Sequence, residues 1–371
     1  MPLFYNVPRI KHQGLREVEC GPYTLVRYTK PLKDPALANY RSVVYKGDTL
    51  VAFSPPRSTS EREFRDICAS PSNAVVREYV DGMMIYVWFD NDSWKTSTRT
   101  CVEGDKVFRR GVDPVLIPEN KTNYVLPPTP HELFLKYISQ FPIPFFDMLE
   151  KTFTYVFTLM DPTAFNVVKG NTQVCYLTNV YKIIDNQAIA VHLDMVLPSL
   201  PINAPTIYHF ETYDEIKNYI SLRSFLFKGF MVYYGATEHR LKILNPQYLE
   251  AHTLLSSKPN FNEIVLEAIL VHKNDHVIAT FHEDFAKNIE AINRNILRCA
   301  NSLYSFYLEC FIKKTKLHKT FPVLYRSHMY ELHKMYLQSF RQLGFRMNKT
   351  VVLDYVKNIP VPLLLPLLGI Y

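Results

Sequence analysis

Apolar and polar positions alternate in short runs through roughly the first 250 residues, then recur every three to four residues beyond about 255. The first pattern predicts strands and the second helices. Residues 41–45 and 49–53 flank Lys46-Gly47-Asp48 and predict a hairpin. In residues 77–89, Asp81-Gly82 supplies turn chemistry before an apolar run of β-formers, and residues 94–99 return as its partner strand. Further strands are expected at 153–162, 173–177, 185–197, 226–234 and 240–249. Short helices are expected at 60–67, 132–137 (opened by Thr129 or His131 after the stiff Pro127-Pro128-Thr129-Pro130) and 213–219. The first 40 residues, broken by Pro8, Pro22, Pro31 and Pro35, read as irregular. Beyond 255, helices are expected at 262–272, 283–319 and 323–343, the last ended by Gly344. Residues 359–368, with three prolines among leucines, read as an extended arm packed on the body or on a partner.

Composition narrows the classes. A chain of 371 residues with 47% hydrophobic and 21% charged content is long enough for two folded domains. A net charge of +7 suits a polyanionic partner without specifying one. The six cysteines include no CxxC pair, which argues against a zinc site or disulfide ladder and for thiols in a reducing compartment. His328 and His333 lack an i, i+4 spacing, so no metal site is assigned. The N-terminus lacks an apolar signal core, and no apolar run is long enough to span a bilayer. Lys313, Lys314, Lys316 and Lys319 cluster near the expected end of a helix, where they suit either the helix dipole or an RNA phosphate patch.

Five stretches, in order over about residues 40–250, resemble the nucleotide-binding motifs of bacteriophage-type ATP-dependent RNA ligases, and more closely their relatives in large DNA viruses. The signature Lys-x-Asp-Gly keeps Asp81 and Gly82 but has Tyr79 where the adenylylated lysine would stand. Arg41 and Arg57 match basic positions at the entry to the domain. Thr158 replaces a glutamate that contacts ribose, and Lys228 replaces a second glutamate beside the kept Gly229. Arg240 replaces the first lysine of the last motif, whose second lysine is Lys242.

The resemblance implies an α+β, ATP-grasp-like nucleotidyltransferase domain of antiparallel sheets with flanking helices over 1–255, followed by an all-α domain with an apolar Pro/Leu tail over 256–371. It implies a nucleotide- or RNA-binding set of Arg41, Arg57, Tyr79, Asp81, Gly82, Arg99, Thr158, Lys228, Gly229, Arg240 and Lys242. With the lysine and two carboxylates replaced and the basic residues kept, the reading leans away from catalysis: a degenerate ligase-like viral protein that binds RNA or a nucleotide in the former ligase pocket. The alternatives are an active divergent nucleotidyltransferase using another nucleophile such as Lys46 or Lys95, with ATP and Mg2+ as its requirements, and a structural component of a virion or viral complex. RNA is the expected partner, with a viral protein docking on the C-terminal helices or tail. The expected location is the host cytoplasm, a viral factory or the virion, without secretion.

Overall fold

The structure, a computed structural model, describes residues 4–103, 128–164, 166–168, 170–235, 239–256, 261–271 and 283–370. Pro127 and His272, named above, lie outside the described residues. The described residues divide into two units, one of those up to Thr253 and one of those from Leu254 onward.

The first unit contains, in chain order, β1 (Phe4–Asn6), β2 (Leu15–Cys20), β3 (Tyr23–Tyr28), β4 (Val43–Lys46), β5 (Thr49–Phe53), α1 (Glu61–Ile67), β6 (Val75–Glu78), β7 (Met83–Asp90), β8 (Ser93–Ser97), α2 (Pro130–Ile138), β9 (Phe153–Met160), β10 (Val174–Ile184), β11 (Gln187–Val191), β12 (Ile207–Tyr208), α3 (Tyr213–Ser221), β13 (Gly229–Tyr233) and β14 (Arg240–Leu244), and leads into α4 (Pro246–Ser256). The strands form three antiparallel sheets, ordered β1-β11-β10-β9-β7-β8, β12-β6-β13-β14 and β2-β3-β4-β5.

Period-two patterning builds the core. Along β7, Met83, Ile85 and Val87 face one side of the six-stranded sheet, while Tyr86 and Trp88 face the other. On β9, Tyr155, Phe157 and Leu159 join the first side and Val156 the second. The first side is covered by Leu133, Phe134 and Ile138 of α2. The second packs on the β2–β5 sheet through Leu25, Val43, Val44 and Phe53. Phe64 of α1 and Ile216 and Ile220 of α3 cover the third sheet at Phe230 and Val232. Each fully buried aromatic of this kind contributes about 2–3 kcal/mol of apolar burial.

The helix starts are local chemistry. Ser60 with Glu63, and Thr129 with Glu132, form capping boxes that satisfy first-turn amides, each contributing about 1 kcal/mol. Of the two openers considered for α2, Thr129 is the cap; the His131 ring instead bonds Thr96 Oγ1 through Nδ1 at 2.6 Å. The β7–β8 turn places both Asn91 and Asp92 at positive φ, as a tight two-residue hairpin requires.

The second unit is helical: α5 (Phe261–Val271), α6 (Glu283–Tyr307), α7 (Val323–Met335), α8 (Lys349–Lys357) and α9 (Val361–Leu367). Ile292, Ile296, Cys299 and Leu303 form the buried stripe of α6, and Met329 and Leu332 that of α7. All six cysteines are free thiols. No described helix is long and apolar enough to cross a membrane.

Several expectations change, among them the strand expected at 185–197, which spans only Gln187–Val191. The region before residue 40 contains three strands, because Leu15–Cys20 and Tyr23–Tyr28 zip into one hairpin in full register; the prolines fall between strands. The strand expected at 240–249 stops at Leu244, and Pro246 opens α4 at a position where the missing amide costs nothing. The helix expected to reach Lys319 closes with a wide π-turn at Leu308–Ile312, so the four lysines follow it rather than forming its last turn. The Pro/Leu tail is a helix, not an extended arm: Pro360 caps it, Pro362 sits in its first turn, and Leu364 and Leu367 are buried.

Candidate functional site: a tyrosine among cations

Residues Tyr79-Val80-Asp81-Gly82 carry the chain from β6, in one sheet, to β7, in another. Two glycines permit the crossing. A Cβ on Gly82 would stand 2.6 Å from the Leu159 carbonyl oxygen of β9. Gly229 has φ +134, and a Cβ there would overlap the Ile243 carbonyl oxygen. The Gly229 carbonyl in turn accepts from the Tyr79 amide at 2.8 Å, which fixes the start of the link.

Asp81 anchors the link from within. It is 8% exposed. Its Oδ1 accepts from Lys228 Nζ at 3.0 Å and from the Tyr248 hydroxyl at 2.7 Å. Its Oδ2 accepts from the Val167 and Val168 amides at 3.0 and 3.1 Å. Burial pushes its pKa up, but Lys228, the Tyr248 hydroxyl and the Val168 amide outweigh burial and hold it below the ordinary value. Tyr248, on the first turn of α4, was absent from the sequence-derived site, as were the two amides. Its only signal was the Pro-x-Tyr turn after the last motif.

Tyr79 is partly buried, with the cations around its ring. Lys228 Nζ lies 4.1 Å and Lys242 Nζ 5.2 Å from the ring centroid. Burial alone would raise the phenol pKa; Lys228, Lys242 and Arg41, with Lys242 also placed to hydrogen-bond it, lower it to about 7. The neighbours respond in kind. Lys242 is lowered to about 8, first by burial and then by Arg41 and Arg240, against the opposing pull of Tyr79. Arg41 is lowered to about 10 by burial and by Arg240. Arg240 is 5% exposed; its Nη2 donates to the Pro56 carbonyl and its Nε has no acceptor. The structure therefore gathers Arg41, Tyr79, Asp81, Lys228, Arg240 and Lys242 from four separate stretches of chain.

The other predicted residues lie around this group or away from it. Arg99 reaches Arg41 by its field and sits 5.9 Å over the Tyr28 ring. Arg57 is exposed and lines an open groove with Asn39, Thr59, Glu63 and His239. Thr158 packs its Cγ2 against the backbone of Gly82. The alternative nucleophiles are engaged elsewhere. Lys46 pairs with Asp90 at 3.0 Å, seven residues along β7 from Met83, or about 23 Å at ~3.3 Å per residue. Lys95 pairs with Glu103 at 3.0 Å and stands opposite Trp88 in the β7–β8 register. Lys313, Lys314, Lys316 and Lys319 are exposed in the second unit, with Lys316 paired to Glu309 at 2.8 Å.

The residues do not fit a protein-held divalent cation. Both Asp81 oxygens are saturated by donors, Lys228 adds a charge of the wrong sign, and no group of three acidic, histidine or cysteine side chains among the described residues could hold one. Anions are the ligands this donor set suits.

No protein-family model matches the chain, and no curated protein does. Solved structures similar to parts of it include a mutant of the Naegleria gruberi RNA ligase with AMP and Mn, at 13% identity and a TM-score of 0.39, covering 54% of this chain and 58% of that one. The same ligase with PPi matches at 14% identity and a TM-score of 0.37, covering 62% and 65%. An archaeal ATP-dependent RNA ligase matches at 11% identity and a TM-score of 0.39, covering 75% and 72%. The chain thus spans under two thirds of the length of the Naegleria ligase. These structures come from Naegleria and an archaeon, and the expected affinity to phage and viral relatives finds no support among them. The leaning away from catalysis is corrected as well, since it finds no support: the solved structures similar to parts of this chain are RNA ligases, some holding AMP or PPi. The likeness is one of fold, and the chemistry of this chain rests on its own side chains.

Proposed function

We propose that the first unit is a nucleotidyltransferase-like domain that binds the phosphates of a nucleoside triphosphate around Tyr79, with an RNA end as the second ligand of the same site, and that the second unit is an accessory helical domain. The observation that carries this reading is the convergence of Arg41, Lys228 and Lys242 on one partly exposed phenol, with Arg240 beside Arg41 and Lys242 and Asp81 as the carboxylate inside the group. Holding four cations together in a partly buried site is unfavourable unless an anion completes it, and a triphosphate supplies that charge. The buried Arg240 Nε without an acceptor points the same way.

The test is equilibrium titration of the full chain with a fluorescent ATP analogue. Each charge-assisted phosphate contact is worth about 1.5–3 kcal/mol, so Arg41→Ala or Lys242→Ala should weaken binding roughly 10–100-fold. Unchanged affinity in both variants, or no binding by the folded wild type, refutes the reading. Lys313, Lys314, Lys316 and Lys319 are proposed as a separate RNA-backbone contact. Changing all four to Gln should flatten the dependence of log affinity for single-stranded RNA on log salt by up to about 3, while leaving ATP binding unchanged.

A further inference from the structure

We infer that Tyr79 is a covalent nucleophile: its phenolic oxygen takes up the nucleoside monophosphate of a bound nucleoside triphosphate as an O-tyrosyl phosphodiester. The inference rests on the proposed triphosphate site and deepens it.

Geometry comes first. Tyr79 is the one hydroxyl-bearing residue of the crossing link, and its backbone is pinned by the Gly229 carbonyl at 2.8 Å. The Lys228 and Lys242 ammonium groups lie over its ring, 4.1 and 5.2 Å from the centroid. A triphosphate neutralised by those cations is thereby brought to the phenol. The lysines named as alternative nucleophiles are ion-paired elsewhere. Lys228 is committed to Asp81, and Lys242 lies beside the phenol as its donor.

Reactivity follows from the same neighbours. A phenol near its ordinary pKa of about 10 is a weak nucleophile at neutral pH, and an activated nucleophile needs a lowered pKa or an adjacent base. The cations around Tyr79 lower it to about 7, which brings the phenolate within reach at neutrality. Among the described tyrosines with a resolved shift, the others are raised, as burial alone would dictate; Tyr23, Tyr86, Tyr155 and Tyr248 are examples.

The step balances as follows. The phenolate oxygen attacks the α-phosphorus and forms the P–O(aryl) bond. The bond from that phosphorus to the α–β bridging oxygen breaks, and pyrophosphate leaves with the electron pair. Any proton still on the phenol passes to solvent. Lys228, Lys242 and Arg41 stabilise the charge that gathers on the departing pyrophosphate. Added pyrophosphate reverses the step and regenerates the triphosphate.

The experiment incubates the full-length protein with α-labelled ATP, and separately GTP, with Mg2+ or Mn2+ in the buffer, and resolves it on a denaturing gel. ATP-analogue binding is measured on the same preparations. The expected result is a labelled band that survives acid, as an aryl phosphodiester does and a phosphoramidate does not. The label should map to the peptide containing Tyr79, disappear on adding pyrophosphate, and be absent from Tyr79→Phe shown to be folded by its denaturant unfolding. Binding without label in the wild type overturns the inference and leaves the triphosphate site standing. An acid-labile label, or one that persists in Tyr79→Phe, overturns it by placing the nucleophile elsewhere. Absence of both binding and label from folded protein overturns the inference and the site together.

Discussion

Replacing Lys242 by Met should return Tyr79 toward ordinary tyrosine behaviour, and the size of the effect follows from the geometry. A unit charge 5.2 Å from the ring centroid, at an effective dielectric of about 20, interacts with the phenolate by about 3 kcal/mol. Removing it should raise the phenol's proton affinity about a hundredfold. The assay is the ultraviolet absorbance of ionised phenol across pH, taken as the difference between each protein and its Tyr79→Phe counterpart. The wild type should show one tyrosine ionising near pH 7, and Lys242→Met should move that ionisation well up the scale. The same group affects stability. Its folded pKa, about 7, lies below the unfolded value of about 10, so its contribution is complete above pH 10 and is lost as pH falls through 7. At most that is about 4 kcal/mol, and Tyr79→Phe should remove it from the pH dependence of denaturant unfolding. Lys242, also lowered, adds a trend of the same sign that Tyr79→Phe leaves in place. A wild-type phenol that titrates at 10 or above, or one indifferent to Lys242→Met, refutes the electrostatic account.

Three further outcomes are expected. Lys228→Met leaves Asp81 buried with the Tyr248 hydroxyl and two amides, and should cost about 3 kcal/mol in denaturant unfolding at pH 7. The lowered Asp81 pKa stabilises the fold above the unfolded value of about 4 and ceases to do so as pH falls through the folded value, so the gap between variant and wild type should narrow in acid. Gly229→Ala forces a side chain into φ +134 and against the Ile243 carbonyl, and should cost about 3 kcal/mol; a loss under 1 kcal/mol would contradict the described crossing. Leu364→Ala removes a fully buried side chain of α9 and should cost about 2–5 kcal/mol of the second unit's stability, whereas a solvent-exposed arm would show almost none.

Much of the scaffold was legible because its causes are local. Alternation along β7 and β9 decides which side chains enter each core, and a strand carries that period wherever it packs. The capping boxes at Ser60 and Thr129 act within a single turn. Gly82 and Gly229 were identified by their place in motifs, and the structure supplies the reason: each lets one backbone press against another.

Other features needed the tertiary fold. The strands before residue 40 exist because β2 and β3 find each other and then β4. The tail becomes a helix because Leu364 and Leu367 have a core to enter. Above all, the sequence places Tyr79 where the resemblance implies a lysine, and by that resemblance the substitution reads as loss. Only the structure brings Arg41, Lys228 and Lys242 around it, and the field of a charge depends on distance through space, not along the chain. The lowered phenol pKa has no sequence signature, and the Pro-x-Tyr turn that marks Tyr248 does not say that it bonds Asp81, because each is set by groups that meet only after the sheets have formed.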